Sequence, residues 1–247
     1  MRHLLVHLTL IAIISPAWAQ APTGEEILKK VDQNLVSEQA VSETQMVVYG
    51  RTGSRTVRSR VWVKGADNAF VEYLAPARER GKKMLKIGDM LWNYTPEPND
   101  RIITISGHLL RQSVIGSDLS YEDITENHKL TQLYDANVEG QEDYEGRTCW
   151  VVNLTAKRKD VAYHSRRVWV DIERWLPLKE ERYAKSGRLL KTTKTVEVFR
   201  IDERWYPKKM TFKDMLSRGK GTEYTVESID FNVTVPDHMM TKAALRK

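Results

Sequence analysis

Apolar positions along this chain change their period once, near Val41. Before that point Ile27, Leu28, Val31 and Leu35 recur at helical spacing. Thr23 stands three residues ahead of Glu26, the spacing of a capping box. The pattern predicts an amphipathic helix, one face of which needs a sheet to lie on. After Val41 the period is two. Val57, Val61 and Val63 alternate with Arg58, Arg60, Trp62 and Lys64, and turn-rich stretches flank them at 50–53 and 65–68. Further strands are predicted at 69–74, 83–87, 90–94 and 101–105. Pro76 ends the first of these, and the Pro, Asn and Asp residues of 95–100 separate the last two.

The segment 106–127 lacks clean alternation, although it holds Leu109, Leu110, Val114, Ile115, Leu119, Tyr121 and Ile124. It reads as short helices or an ordered loop lying across the sheet. Strands resume at 129–139, 147–156, 165–171, 178–183, 189–200, 205–214 and 222–232. Turns are expected at 140–146, 186–187 and 219–221, and a short helical tail at 239–245. Short turns between consecutive strands imply antiparallel pairing. The fold class is therefore mainly β with some α: one large, strongly curved antiparallel sheet with an N-terminal helix and a central element over one face. Many strands are apolar on both faces, as in Met84-Leu85, Leu91-Trp92, Ile102-Ile103 and Trp150-Val151. Either helices and loops cover the second face, or an apolar cavity lies between sheet and lid; the pattern leaves both open.

The first residues set the address. Arg2 precedes an apolar run from Leu4 to Ile14, and Ala17-Trp18-Ala19 follows. This is the order of a cleavable signal peptide, with the cut expected after Ala19. The run is shorter than the roughly 20 residues of a membrane span. No cysteine lies near the cut, so the mature chain is expected to be neither lipidated nor membrane-spanning. Residues 20–247 are long enough for one domain with a real core. Residues 1–19 hold one base and no acid, which lowers the formal charge of +6 to +5 in the mature chain. Basic clusters at 78–83, 157–159 and 166–167 read first as solvated edges and turns, with anionic lipid headgroups as the alternative. Export argues against nucleic acid.

Candidate chemistry changes little. The single cysteine, Cys149, has no disulfide partner and sits in an apolar strand, as a buried inert thiol would. His108, His128, His164 and His238 show no metal-binding spacing, and no nucleophile-elbow, zincin or phosphate-loop pattern occurs. No enzyme, metal or cofactor is expected. An envelope hydrolase remains a third-ranked reading, behind a carrier and a binding module.

One combination of motifs is distinctive. Residues 77–85 (ARERGKKML), Leu91-Trp92-Asn93-Tyr94-Thr95-Pro96 and Gly116-Ser117-Asp118-Leu119-Ser120-Tyr121-Glu122-Asp123 occur in order. Residues 27–32 (ILKKVD) and 171–178 (DIERWLPL) flank them. The chain resembles the outer-membrane lipoprotein-sorting family, the periplasmic LolA-like group, and within it the larger branch with the GSDLSYED segment. That resemblance implies an unclosed antiparallel β-barrel with lid helices over a hydrophobic cavity. It implies a periplasmic carrier for lipid or the acyl chains of lipoproteins, moving between inner and outer membrane and working with an inner-membrane transporter. The same fold also serves as a periplasmic sensor or protein-binding module, which is the alternative. A carrier must hide about 0.8 kcal/mol of tail per methylene reversibly, and large aromatic or flexible side chains suit a yielding cavity. Candidate lining residues are Trp62, Phe70, Met84, Trp92, Tyr94, Trp150, Trp169, Met210 and Phe212. Candidate lid residues are Leu109, Leu110, Val114, Ile115, Gly116, Ser117, Asp118 and Tyr121.

Overall fold

A computed structural model describes residues 21–50, 52–125 and 127–247. The expected signal peptide and its cleavage site lie outside the described residues. The chain starts with α1 (Gly24–Leu35) and runs through β1 (Gln39–Tyr49), β2 (Ser54–Lys64), β3 (Asn68–Ala75), β4 (Lys83–Ile87), β5 (Met90–Thr95) and β6 (Arg101–Ile105). A 3-10 turn (Gly107–Arg111), α2 (Tyr121–Thr125) and α3 (Leu130–Leu133) follow. Then come β7 (Tyr134–Tyr144), β8 (Arg147–Ala156), β9 (Ser165–Asp171), β10 (Pro177–Tyr183), β11 (Leu189–Ile201), β12 (Arg204–Asp214) and β13 (Thr222–Asp230). Two 3-10 turns, Asp237–Met240 and Lys242–Arg246, complete the tail.

The 13 strands of the described residues form one antiparallel sheet. Each strand pairs with its sequence neighbour except at one joint, where β1 meets β13. β6 and β7 are the two edges and do not pair, so the barrel is unclosed. Its curvature follows from α1, which contacts both β7 and β12. Those strands stand five places apart, about 24 Å in a flat sheet at 4.8 Å per strand. One helix about 10 Å wide reaches both only if the sheet curls around it. The face that carries α1 is therefore the inner face.

α1 forms where the capping box predicts it. Thr23 Oγ1 accepts from the Glu26 amide at 3.2 Å, and Glu26 Oε2 accepts from the Thr23 amide at 2.8 Å. Its apolar stripe, Ile27, Leu28 and Val31, is fully buried against Val152, Leu154, Val168 and Val170 of β8 and β9. Gly24 sits so close to β7 that a Cβ there would lie 2.5 Å from the Ala136 carbonyl oxygen. At the other end of the inner face, residues 107–125 lie as a lid on a second core of Met46, Val57, Val61, Val71, Met84 and Leu91. The outer face has its own cover: Ala244 and Leu245 of the tail pack on Phe70 and Leu85. Apolar residues on both faces of β3 to β5 are thus explained by two covers, the lid inside and the tail outside.

Two expected elements differ. The strand expected at 129–139 starts later, because 130–133 make a helical turn. Its free amides are capped across the fold by Asp32, which accepts from Leu130 at 2.7 Å and Thr131 at 3.1 Å. No local sequence signal carries such a cap. The turn expected at 140–146 shrinks to Glu145-Gly146, because Gly140 makes a β-bulge within β7 and the strand continues beyond it.

Candidate functional site

Period-two geometry sends alternate residues of β9 to β12 inward, and register aligns them in rows. One row is apolar and neutral polar with one acid: Val168, Glu180, Thr193 and Phe212 are directly paired across four strands. The next row is Arg166, Arg182 and Lys191, again directly paired. Where these rows meet α1 and the chain before α3, a cavity of about 170 Å³ opens, walled by Leu35, Val168, Arg182, Thr193, Met210 and Phe212. A second cavity of about 140 Å³, walled by Val61, Ile124, Tyr224 and Phe231, shares Leu35, Asn127 and Met210 with the first. Together they make a groove between α1 and the lid.

The cation row is the electrostatic centre of the inner face. Three like charges opposite one another destabilise a sheet unless they are neutralised. Glu180 bonds Arg166 and Arg182, each at 3.0 Å. Asp123, from α2 of the lid, accepts from Arg182 at 2.8 Å, from Lys191, and from the Tyr163 hydroxyl at 2.7 Å. Burial would raise the Asp123 carboxyl, but Arg182, Lys191 and the Ser120 amide outweigh it and hold it well below the usual carboxylate range. Glu180 is lowered in the same way by Arg182 and Arg166, against its burial. Tyr134 and Tyr163 place their rings 4.7 and 5.5 Å from the Arg166 guanidinium.

The GSDLSYED segment anchors the lid. Asp118 accepts from the Asp214 amide and from Thr222 Oγ1, both at 2.9 Å, which ties the lid to β12 and β13. Ser120 and Asp123 form the capping box of α2: Ser120 Oγ accepts from the Asp123 amide at 3.2 Å, and Asp123 Oδ2 accepts from the Ser120 amide at 2.7 Å. Ile115, a β-branched residue, holds φ 50°, a costly conformation, and its carbonyl accepts from Arg55. Gly116 beside it, at φ 67°, takes the left-handed conformation that glycine alone adopts without cost. The Tyr121 hydroxyl accepts from Asn93 at 2.8 Å.

All the lid candidates fall in this element. Val114, Ser117 and Asp118 are buried, Gly116 makes its turn, and Leu109, Leu110, Ile115 and Tyr121 pack on the core beneath. The cavity candidates divide. Met210 and Phe212 wall the groove, Met84 lies fully buried under the lid, and Trp150 sits on the inner face beneath α1. Trp62, Phe70, Trp92 and Tyr94 point outward into the cluster covered by the tail. Trp169 also points outward, packed with Cys149 and Val151, and its indole donates to Glu142 at 2.7 Å. Aromatic residues populate both faces here, so residue type does not report the face.

Sequence reasoning missed Asn93, Glu180, Arg182 and Lys191, and it read Arg166-Arg167 as one solvated pair. The structure separates the two: Arg166 is 3 % exposed on the inner face, while Arg167 pairs outside with Glu139 and Glu142. Alternation along β9, with Arg166, Val168 and Val170 in phase, carried the signal. Cys149 is fully buried, and that burial pushes its thiol up to about 11. Among the described residues no group of three or more His, Cys, Asp or Glu could hold a metal ion, and no helix is long and apolar enough to cross a membrane.

Solved structures share this architecture. A DUF1329 family protein from Desulfovibrio piger is 26% identical, matched over 90% of this chain and 98% of that one, with a TM-score of 0.82. A LolA superfamily protein from Nitrosomonas europaea is 25% identical over 91% of this chain and 100% of that one, at 0.76. An outer membrane lipoprotein-sorting protein domain from Vibrio parahaemolyticus, 22% identical over 91% and 98%, matches at 0.79 and shares the fold. No curated protein matches the chain. A family model described as an uncharacterized protein matches residues 65–247. The chain belongs to that family of uncharacterized proteins, and its fold is that of the LolA superfamily.

Proposed function

We propose that this protein is a non-enzymatic periplasmic carrier that shields the acyl chains of a lipid or lipoprotein in the groove between α1 and the lid. The observation that carries the reading is the groove itself: a cleft with apolar and polar walls on the inner face of an unclosed barrel, bordered by an element that adds exchangeable polar contacts to its apolar packing. The described likeness to a lipoprotein-sorting domain supports the same class of role. A cleaved signal would release the chain to diffuse between membranes, with an inner-membrane transporter as donor.

The groove is too small in this conformation for a whole acyl chain. Its larger part, about 170 Å³, is comparable with a cavity of ~150 Å³ that accommodates benzene. An acyl chain enters once a cover moves. α1 is held by three fully buried aliphatic side chains and a backbone contact that admits no Cβ. The lid buries Val114 and Leu119 and packs Leu109, Leu110 and Ile115 on the core, and it adds hydrogen bonds and ion pairs from Asp118, Asp123 and Tyr121, which water or ligand can replace. In this reading the lid is the cover that opens.

Native mass spectrometry of protein purified from envelope extract tests the reading. Bound lipid is expected, with uptake of acylated lipoprotein or of a fluorescent long-chain lipid by delipidated protein. Failure to carry lipid from the cell together with failure to take it up in vitro would overturn it. Recovery of a protein partner without any need for acyl chains would favour a binding module.

A further inference from the structure

Strand direction sorts the connections between strands to the two ends of the barrel. Thr155 pairs with Ser165, Ser165 with Tyr183, Tyr183 with Leu189 and Lys191 with Asp214, so the connections at 157–164, 184–188 and 215–221 share one end. Pairing of Val48 with Thr222 and Arg55, Arg58 with Ala75 and Lys83 with Tyr94 brings 76–82 and 96–100 to the same end. These five connections hold ten bases and four acids. Three of the four acids are already paired: Glu79 with Lys82 at 2.8 Å, Asp160 with Arg158 at 3.2 Å and Asp100 with Arg246 at 3.1 Å. Glu25 and Glu26, which begin α1 within the field of Lys157, are paired with Lys29 and bonded to Thr23. The connections at the opposite end, 36–38, 65–67, 88–89, 145–146, 172–176 and 202–203, hold seven acids and one base. The barrel therefore has a basic rim and an acidic rim.

The basic rim also carries exposed apolar surface. Met215 and Leu216, 46 and 55 % exposed, stand side by side at the tip of the β12–β13 hairpin. Among the described residues they are the only exposed large hydrophobic side chains adjacent in sequence. Arg218 and Lys220 on the same hairpin, and Lys185 and Arg188 on the β10–β11 hairpin beside it, are exposed as well. The tip is built, not slack: the Met215 amide donates to the Leu190 carbonyl at 2.9 Å, the Leu216 amide to Asp214 Oδ1 at 2.8 Å, and Lys213 Nζ to the Ser217 carbonyl at 2.7 Å. The backbone thus holds two apolar side chains in water, at a cost that a partner can recover by burying them. We propose that this rim docks on an anionic lipid bilayer, with Met215 and Leu216 inserted among the headgroups and the surrounding bases against lipid phosphates. An acidic protein would answer the bases alone, whereas a bilayer answers both features, since acyl chains lie directly beneath its anionic headgroups. The same surface repels the acidic rim, so the docked barrel has one orientation. This docking goes beyond the carrier reading and is independent of what the groove holds.

Flotation of the full mature chain with vesicles tests the docking. Vesicles of phosphatidylethanolamine with phosphatidylglycerol are compared with vesicles of phosphatidylcholine alone, and polyglutamate serves as a soluble polyanion. A base close to an anionic surface contributes roughly 5-fold in binding. The anionic vesicles should therefore bind at least ~10-fold tighter than the neutral ones, and raised salt should release the protein. Lys185→Gln combined with Arg188→Gln should weaken anionic binding ~20-fold. Met215→Ser combined with Leu216→Ser should weaken it ~10-fold. Asp202→Asn combined with Glu203→Gln, on the acidic rim, should leave it unchanged. Should the serine pair fail to fold, Leu216→Ser alone and the glutamine pair decide. Equal binding to both kinds of vesicle, or binding to neither, overturns the docking, and so does anionic binding that survives both the glutamine and the serine pairs. Polyglutamate bound in place of anionic vesicles overturns it in favour of an acidic protein surface. Lipid uptake by the groove is measured separately and stands or falls on its own.

Discussion

Replacing Asp118 by alanine removes the carboxylate that joins the lid to β12 and β13. The carboxylate is 7 % exposed and accepts from two donors at 2.9 Å, the Asp214 amide and Thr222 Oγ1. A hydrogen bond to a charged group contributes about 1.5–3 kcal/mol. The two bonds share one carboxylate, and water admitted on truncation recovers part of the loss, so the estimate is about 3 kcal/mol in total rather than a full sum. Lys213 Nζ, 3.7 Å away and partly exposed, adds little. A change of about 3 kcal/mol raises the open-lid population roughly 150-fold. Amide hydrogen exchange reads that population locally. Protection should fall by about that factor at Val114, Ser117 and Ile124, whose amides bond within the lid to Leu119, Val114 and Ser120. Protection in β8 and β9, beneath α1, should stay unchanged. Equal loss in both regions would mean that the lid does not open as a local unit, and unchanged protection in the lid would refute Asp118 as its anchor.

Three further outcomes follow from the same contacts. Asp123 is held below its ordinary value, so its stabilisation is complete above the unfolded aspartate value of about 3.9 and is lost as pH falls toward the folded one. The urea midpoint should therefore be insensitive to this ion pairing from about pH 7.5 to about pH 5 and fall below about pH 4; an earlier drop would contradict the pairing. Gly24→Ala places a Cβ 2.5 Å from the Ala136 carbonyl oxygen, and overpacking of about 1–3 kcal/mol should outweigh alanine's helix preference, so the thermal midpoint should drop by a few degrees. Cys149, buried and with its thiol pushed up to about 11, should resist a thiol reagent at about pH 8 in the native protein and react at once in denaturant; rapid native labelling would show that this strand opens.

Elements were legible where one periodicity operates. β4, β6, β8 and β9 fall at their expected positions, and α1 starts at its capping box, because local alternation and capping decide them. The lid was legible as a place but not as a mechanism. Ser120-x-x-Asp123 spells a capping box, yet nothing local says that the same carboxylate crosses to Arg182 and Lys191. That contact depends on the register of β9, β10 and β11 and on the curl that brings α2 over them. The cavity candidates divided for a related reason. Trp92 and Tyr94 were chosen for size and chemistry, and they point outward; Asn93 between them points to the lid. Alternation tells that neighbours face opposite ways, but with both faces covered it does not tell which is inside.

The two covers of the inner face share their apolar packing and differ in what is added to it. α1 buries Ile27, Leu28 and Val31, and the lid buries Val114 and Leu119 with Leu109, Leu110 and Ile115 beside them. Lifting either cover exposes apolar side chains, and an apolar tail in the groove offsets that exposure because burial is not directional. The lid adds a carboxylate on Arg182 and Lys191, a carboxylate on a strand amide and threonine hydroxyl, and a tyrosine on Asn93. These bonds are directional and are made only when the lid is seated. A tail therefore has to supply, through its difference in affinity for the two states, both the packing and the polar contacts that the lid gives up, so weakening Asp118 should favour entry of a tail as well as opening of the lid.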